Sequence, residues 1–263
     1  MLVKVVLWVL TIVVRWVYRL VCTIVMLVIG VLALLVGNTE ILGQALQDVW
    51  ELVKDGTYAA IGLIIFVALR IVDLVQSVTG NQAAKRRLTE KERALLMPVF
   101  RNSLNYNAIE VVDGSAGLLT RSGRALTMGF TIYLPTYSEQ TLVHECVHVW
   151  QFEFEGFKYI GNSALNQLDQ LVFNRGYQPY AWRSRIDAGA SWYTLKSAEA
   201  QARFIEDVWA VGIFDFDAKG VLDDTTAGAF FRGDPSQGHN VFTVGGSDYT
   251  PQANAAWQII RTG

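Results

Sequence analysis

The chain is short of the residues that build most recognisable sites. It holds three histidines, two cysteines and five prolines in 263 residues, and only 17% of its side chains are charged. Cys22 sits in an apolar run and Cys146 inside a histidine motif, so neither placement suggests a disulfide framework, and the cysteines give no argument for an extracellular protein. A net charge of −2 exerts no global pull toward nucleic acid, and no nucleic-acid partner is expected. No internal repeat, low-complexity tract or nucleotide-binding glycine loop is present.

The shortage of charge is concentrated at the N-terminus. From Leu20 to Val36 the sequence LVCTIVMLVIGVLALLV has no ionisable group except its thiol, and extended backward through VVLWVLTIVV it is broken only by Arg15 and Arg19, whose stems can snorkel. About 20 apolar residues span a bilayer core, so residues 5–36 accommodate one crossing. A cleavable signal peptide fits less well, because the run is too long and no small-x-small site follows. A second run, YAAIGLIIFVALRIVDLV at 58–75, contains Arg70 and Asp73 at i, i+3, where they can pair. Between the runs Gly37-Asn38-Thr39 reads as a helix stop and restart, and ILGQALQDVWELVKDG as an amphipathic helix.

Lysine and arginine cluster before the first run and after the second, while the connection at 38–57 holds only Lys54 among four acids. The positive-inside rule then predicts a two-pass hairpin in the lipid bilayer, both termini cytoplasmic. The other reading is a pair of long helices buried in a soluble complex or homo-oligomer. Residues 1–80 are read as a hydrophobic helical membrane hairpin and 81–263 as a separate catalytic domain.

The second part begins after the basic linker NQAAKRR at 81–87. Thr89-x-x-Glu92 is a capping box that opens a helix through Leu96, which Pro98 helps to end. IEVVD at 109–113 and ALTMGFTIYL at 125–134 read as strands, joined by a glycine-rich loop. Ser138 can cap the next helix, and a further helix runs from about Ser197 to Val211 before Gly212. The predicted class is α+β.

Two of the scarce histidines fall four residues apart in TLVHECVHVWQFEFE, giving His144-Glu145-x-x-His148. On a helix they lie about 40° apart around the axis and about 6 Å along it, close enough to hold one ion. His144, His148, Gln151 and Glu155 form a polar stripe beside the apolar stripe Val143, Val147, Trp150 and Phe154. Glu145 is adjacent, within reach of a metal-bound water, where such a glutamate serves as general base. The competing reading is a helical edge with two ordinary surface histidines. Gln151 and Phe154 replace the glycine and third histidine of HExxHxxGxxH, which excludes metzincins, and the polar flanks exclude an intramembrane site. Glu155 lies too far along the axis to join the site, and Glu153 points to the other side.

A third ligand must come from elsewhere. SAEAQARFIEDVW at 197–209 offers Glu199, Arg203 and Glu206 on one face beside the packing stripe Ala198, Ala202, Ile205 and Trp209. Glu199, flanked by alanines that permit close helix approach, is the first choice; Glu206 and His239 are the alternatives. A carboxylate from a second helix completing two histidines is the gluzincin arrangement.

These segments resemble a family. LTEKERALLMPVF, YNAIEVV, LVHECVHVWQFE, YQPYAWR and AEAQARFIEDVW are similar to zincin domains found beside VgrG- and Rhs-type secretion proteins, over about residues 88–210. The resemblance implies a zincin-like fold, with Zn²⁺ on His144, His148 and Glu199 and Glu145 as base. The resemblance supplies no substrate, and the hydrophobic hairpin departs from that family; hairpin and motif together are read as a membrane-anchored metallopeptidase acting on a protein or peptide substrate. A membrane-inserting effector or component of a secretion system, using the zincin fold as a structural module, is the alternative.

Overall fold

The two segments at 39–78 that composition separates form a single helix, α1 (Thr39–Val78), of 40 residues. The computed structural model describes residues 18–26, 28–29, 39–168, 178–211 and 242–262. Nothing between the segments is strong enough to stop the helix. Gly56 is only a weak helix former, and Thr57 satisfies its hydroxyl by donating to the Val53 carbonyl at 2.9 Å. The connection expected at 38–57 is therefore the first half of α1. The helix is long and apolar enough to cross a membrane. Of the earlier apolar run, residues 18–26 and 28–29 are helical, and the rest lies outside the described residues, so a hairpin of two spans is not shown.

After α1 come β1 (Lys85–Arg87), α2 (Glu90–Phe100), β2 (Glu110–Asp113), a 3₁₀ turn at Gly117–Thr120, β3 (Leu126–Met128) and β4 (Thr131–Leu134). Then follow α3 (Glu139–Glu155), α4 (Phe157–Leu168), α5 (Arg183–Asp187), α6 (Ala198–Val211), a short hairpin of β5 (Thr243–Val244) and β6 (Ser247–Asp248), and α7 (Thr250–Thr262). The class is mixed α+β, as expected.

The sheet has the order β1-β2-β4-β3, with β2 and β4 parallel and the other pairs antiparallel. The stretch read as one strand at 125–134 is a hairpin. Gly129, with φ +67°, and Phe130 form its two-residue turn, the geometry that positive φ at the first turn position permits. The capping box forms as expected, but α2 continues past Pro98 to Phe100.

Alternation along the strands sends side chains to two different cores. Val111, Ile132 and Leu134 face the main core with α2, α3, α6 and α7; Val112, Tyr133 and Met128 face a second cluster with Phe66, Leu69 and Val72 of α1. Helix α1 is thus the outer layer on one face of the sheet, and its packing crosses the compositional boundary at 80. Two of its carboxylates, Asp55 and Asp73, are buried. Asp73 pairs with Arg70 at 3.4 Å and Lys85 at 2.6 Å, and Asp55 with Arg19 at 2.6 Å and Lys158 at 3.0 Å. Arg70 also donates to the Met128 carbonyl at 2.9 Å. Where α1 crosses α4, the backbones nearly touch. A Cβ at Gly62 would stand 1.9 Å from the Phe157 carbonyl oxygen, and one at Gly161 would stand 2.0 Å from that of Tyr58.

Candidate metal centre

Helix α3 carries the motif. The Ser138 hydroxyl accepts from the Thr141 amide at 3.0 Å, and Gly156, at φ +65°, ends the helix. The apolar stripe Val143, Val147 and Trp150 enters the main core as its spacing demands. The polar stripe is covered as well, because α4 and α6 pack over it. His144, His148 and Gln151 are 8%, 5% and 0% exposed, far less than an open helical edge would leave them.

Helix α6 runs antiparallel to α3. Ascending α3, His144 meets Glu206 and Glu199, His148 meets Glu199, and Gln151 meets Gln201 and the Ala198 carbonyl. Seven residues are nearly two full turns, so Glu199 and Glu206 share one face of α6 and bracket the His144 ring. Glu199 Oε2 lies 3.4 Å from His144 Nε2 and 3.3 Å from His148 Nε2. Glu206 Oε2 lies 2.9 Å from the other nitrogen, Nδ1, of His144. Small residues at 198, 200 and 202 allow this approach, with Ala200 and Ala202 fully buried.

His144, His148 and Glu199 form a buried group that could hold a metal ion, their ligand atoms lying within 4.8 Å of one another. Ligands held at about 2.0–2.1 Å in a tetrahedron stand about 3.3–3.4 Å apart, which matches both imidazole–carboxylate separations. Glu206 takes the outer side of His144 instead, and His239 lies outside the described residues. Glu155 stays on the α3 stripe beyond Gln151, half-buried, with its carboxyl raised by burial and relieved by Lys158.

The surrounding hydrogen bonds fix how each ligand presents itself. Gln201 donates its amide N–H to the carbonyls of Tyr193 at 3.1 Å and of Trp192 and Leu195 at 3.4 Å, so its oxygen must face Gln151. Gln151 Nε2 donates to that oxygen at 2.7 Å, which turns Gln151 Oε1 toward His148 Nδ1, also at 2.7 Å. His148 Nδ1 must then carry the proton, leaving Nε2 directed at Glu199. On the carboxylate side, Glu199 Oε1 accepts from Ser163 at 2.7 Å and Gln167 at 3.1 Å, leaving Oε2 for the imidazoles. Glu145 Oε2 accepts from the Thr127 hydroxyl at 2.7 Å. The Tyr159 ring lies 5.8 Å from that of His148, and its hydroxyl donates to the Thr127 carbonyl at 3.1 Å.

Three carboxylates converging on two imidazoles create a demand for positive charge. Burial alone would lower the His144 pKa, but the bonds to Glu199 and Glu206 reverse that and raise it to about 10. His148 is raised in the same way, burial being outweighed by the Glu199 carboxylate. Glu199, despite its burial, is held well below the ordinary glutamate value by the two histidines. Burial pushes Glu145 up, only partly relieved by the histidines and Thr127. Cys146, inside the motif, is buried in the main core with its thiol pushed well up, which leaves it inert as a nucleophile.

The group lies in the wall of a cavity of about 290 Å³, which also exposes Glu145, Tyr180 and Arg124. The Tyr180 ring is 6.3 Å from His144, and burial followed by the Glu199 charge raises its hydroxyl pKa. Sequence reasoning did not single out Thr127, Tyr159, Ser163, Gln167 or Tyr180. For three of them a signal was there: Tyr159, Ser163 and Gln167 recur at i, i+4, i+8 and so form one hydrogen-bonding face on the helix that directly follows the motif. No protein-family model, curated protein or solved structure matches this chain.

Proposed function

We propose that this chain is a membrane-associated, zinc-dependent hydrolase of peptide bonds, of the zincin type. The observation that carries the reading is the placement of one carboxylate oxygen 3.4 Å and 3.3 Å from a nitrogen of each of two imidazoles, beside Glu145 in a cavity wall. The donor set suits Zn²⁺: two neutral nitrogens and one anionic oxygen leave a position open, and each ligand has a second partner that orients it. Zn²⁺ there would polarise a substrate carbonyl and lower the pKa of its bound water.

The protein's own residues supply the rest. Glu145, its pKa raised by burial and one oxygen anchored by Thr127, is suited to take a proton from an attacking water and return it to the leaving amine. Tyr180 keeps its proton and lines the cavity, so it can donate to an oxygen that gains charge during the reaction. The apolar α1 supports membrane association. A two-pass hairpin would need residues 58–75 to cross the bilayer, although one face of that segment is committed to the sheet.

Metal analysis of purified full-length protein should give about one zinc per chain. Hydrolysis of a fluorogenic peptide pool should disappear on chelation and return with zinc. Protein that stays metal-free in micromolar zinc would overturn the reading.

A further inference from the structure

We propose that α1 lies along the membrane surface rather than across it, its outer face in the acyl boundary, which sets the cavity that α1 lines beside the headgroup layer. The orientation rests on packing alone; only its consequence for the substrate rests on the hydrolase reading above.

The two faces of α1 differ completely between Thr57 and Val78. At about 100° per residue, Gly62, Phe66, Leu69 and Asp73 gather on one side. That side is covered: Phe66 stacks on Phe152 at 5.7 Å, Arg70 and Asp73 pair within the protein, and Gln76 accepts from the Leu118 amide. On the opposite side Ile64, Val67, Ile71, Leu74, Val75 and Val78 are 70%, 48%, 58%, 63%, 54% and 79% exposed. No charged side chain interrupts this stripe, because the only charged residues of the segment, Arg70 and Asp73, are the ones turned inward.

Crossing the bilayer would take the partners of α1 with it. The β3–β4 hairpin, the 3₁₀ turn, the start of α4 and the Arg70–Asp73–Lys85 cluster would all sit at hydrocarbon depth, where irregular backbone and charge are excluded or costly. Lying flat, the same helix puts its whole outer stripe, about 21 Å long from Ile64 to Val78, at one depth while the sheet stays in water.

The occupant of the stripe is lipid. The described part of the preceding run does not cover the stripe. It adds to the same kind of surface, with Val21, Ile24 and Val25 at 52%, 52% and 50% exposure and Arg19 tied to Asp55. Beside the C-terminal end of α1, Leu118 is 65% exposed, and Arg121 and Arg124 follow on the same exposed loop. An apolar tip followed by two arginines suits an anionic headgroup layer.

The cavity inherits this placement. Ile65 and Leu69 of α1 line it together with His144 and Glu199. That part of its wall therefore lies within one helix diameter, ~10–12 Å, of the lipid-facing stripe. The substrate class is accordingly a polypeptide segment lying at the membrane interface.

The test uses the full chain with Cys22→Ser, since Cys146 is buried and inert, and spin labels on Ala60→Cys, Val67→Cys, Ile71→Cys or Val78→Cys. Vesicles contain phosphatidylcholine and phosphatidylglycerol, and depth is read from relaxation by oxygen against a water-soluble nickel complex. All four labels should report one shallow depth, about 5–10 Å into the acyl boundary. A depth that changes along the series, with positions 60 and 78 about 27 Å apart along the normal, would show a spanning helix. Labels that exclude oxygen and broaden one another would show a face between copies. Either result overturns the proposal. The readout is the same with Glu145→Gln or without zinc, so it fails independently of the hydrolase reading.

Discussion

Replacing Glu206 with alanine removes no ligand atom, yet it should weaken zinc binding by a calculable amount. With zinc on His144 Nε2, Nδ1–H donates to Glu206 at 2.9 Å, and the Glu206 side chain is only 16% exposed. A hydrogen bond to a charged partner contributes about 1.5–3 kcal/mol, or roughly 10- to 150-fold in a binding constant. Losses of about 10- to 100-fold for groups that orient metal ligands agree with that range. Arg203 shares the Glu206 carboxylate at 3.4 Å and draws part of its charge away, so the lower end, about 10- to 30-fold, is expected. Glu199→Ala should cost far more, because it removes the only carboxylate in the group and also leaves Ser163 and Gln167 without their acceptor. The assay is competition for zinc between apo-protein and a chromophoric chelator at fixed pH, with circular dichroism confirming the fold. Equal loss from both variants, or no loss from Glu206→Ala, would refute the assignment of Glu199 to the ion and Glu206 to the back of the ring.

Four further substitutions have expected outcomes. Glu145→Gln should retain full zinc content while peptide hydrolysis falls by about 10²–10⁴-fold, read by metal analysis and turnover on one sample. Gly62→Ala drives a Cβ to 1.9 Å from the Phe157 carbonyl oxygen, so it should lower the melting temperature through about 1–3 kcal/mol of overpacking. Gly43→Ala, with nothing within 4 Å, should raise it slightly, by up to about 1 kcal/mol. Burial alone would raise the Glu92 carboxyl, but its paired bonds to Arg86, both 2.8 Å, and those from Thr89 hold it below the ordinary glutamate value. Its folded-state pKa being depressed, the stability it supplies is present above the unfolded value and lost as pH falls through the folded one. Denaturant titrations should therefore show Glu92→Gln less stable at neutral pH, with a flatter decline below about pH 4.5.

What the sequence determined by itself is local. The caps at Thr89 and Ser138, the shared face of His144, His148 and Gln151, and the shared face of Glu199 and Glu206 follow from a period of 3.6 and from side-chain hydrogen bonding within four residues. The placement of Glu199 among two flanking alanines was also legible, since close helix approach needs small residues wherever it occurs. The hairpin at 125–134 was legible only in part, because a two-residue turn built on Gly129 leaves little trace in an otherwise continuous apolar run.

Tertiary structure decided the rest, because no local period encodes which elements meet. The antiparallel docking of α6 on α3 selects Glu199 for the ligand group and sends Glu206 behind His144, although both share one helical face. Ser163 and Gln167 reach Glu199 only because α4 folds back over α3. Hydropathy reads residues 58–75 of α1 as lipid-spanning, but the Gly62–Gly161 crossing and the inward pairs of Arg70 and Asp73 make one face of that segment a protein layer. Hydropathy measures how apolar a segment is; which half of its surface meets protein was fixed only when the sheet formed against it.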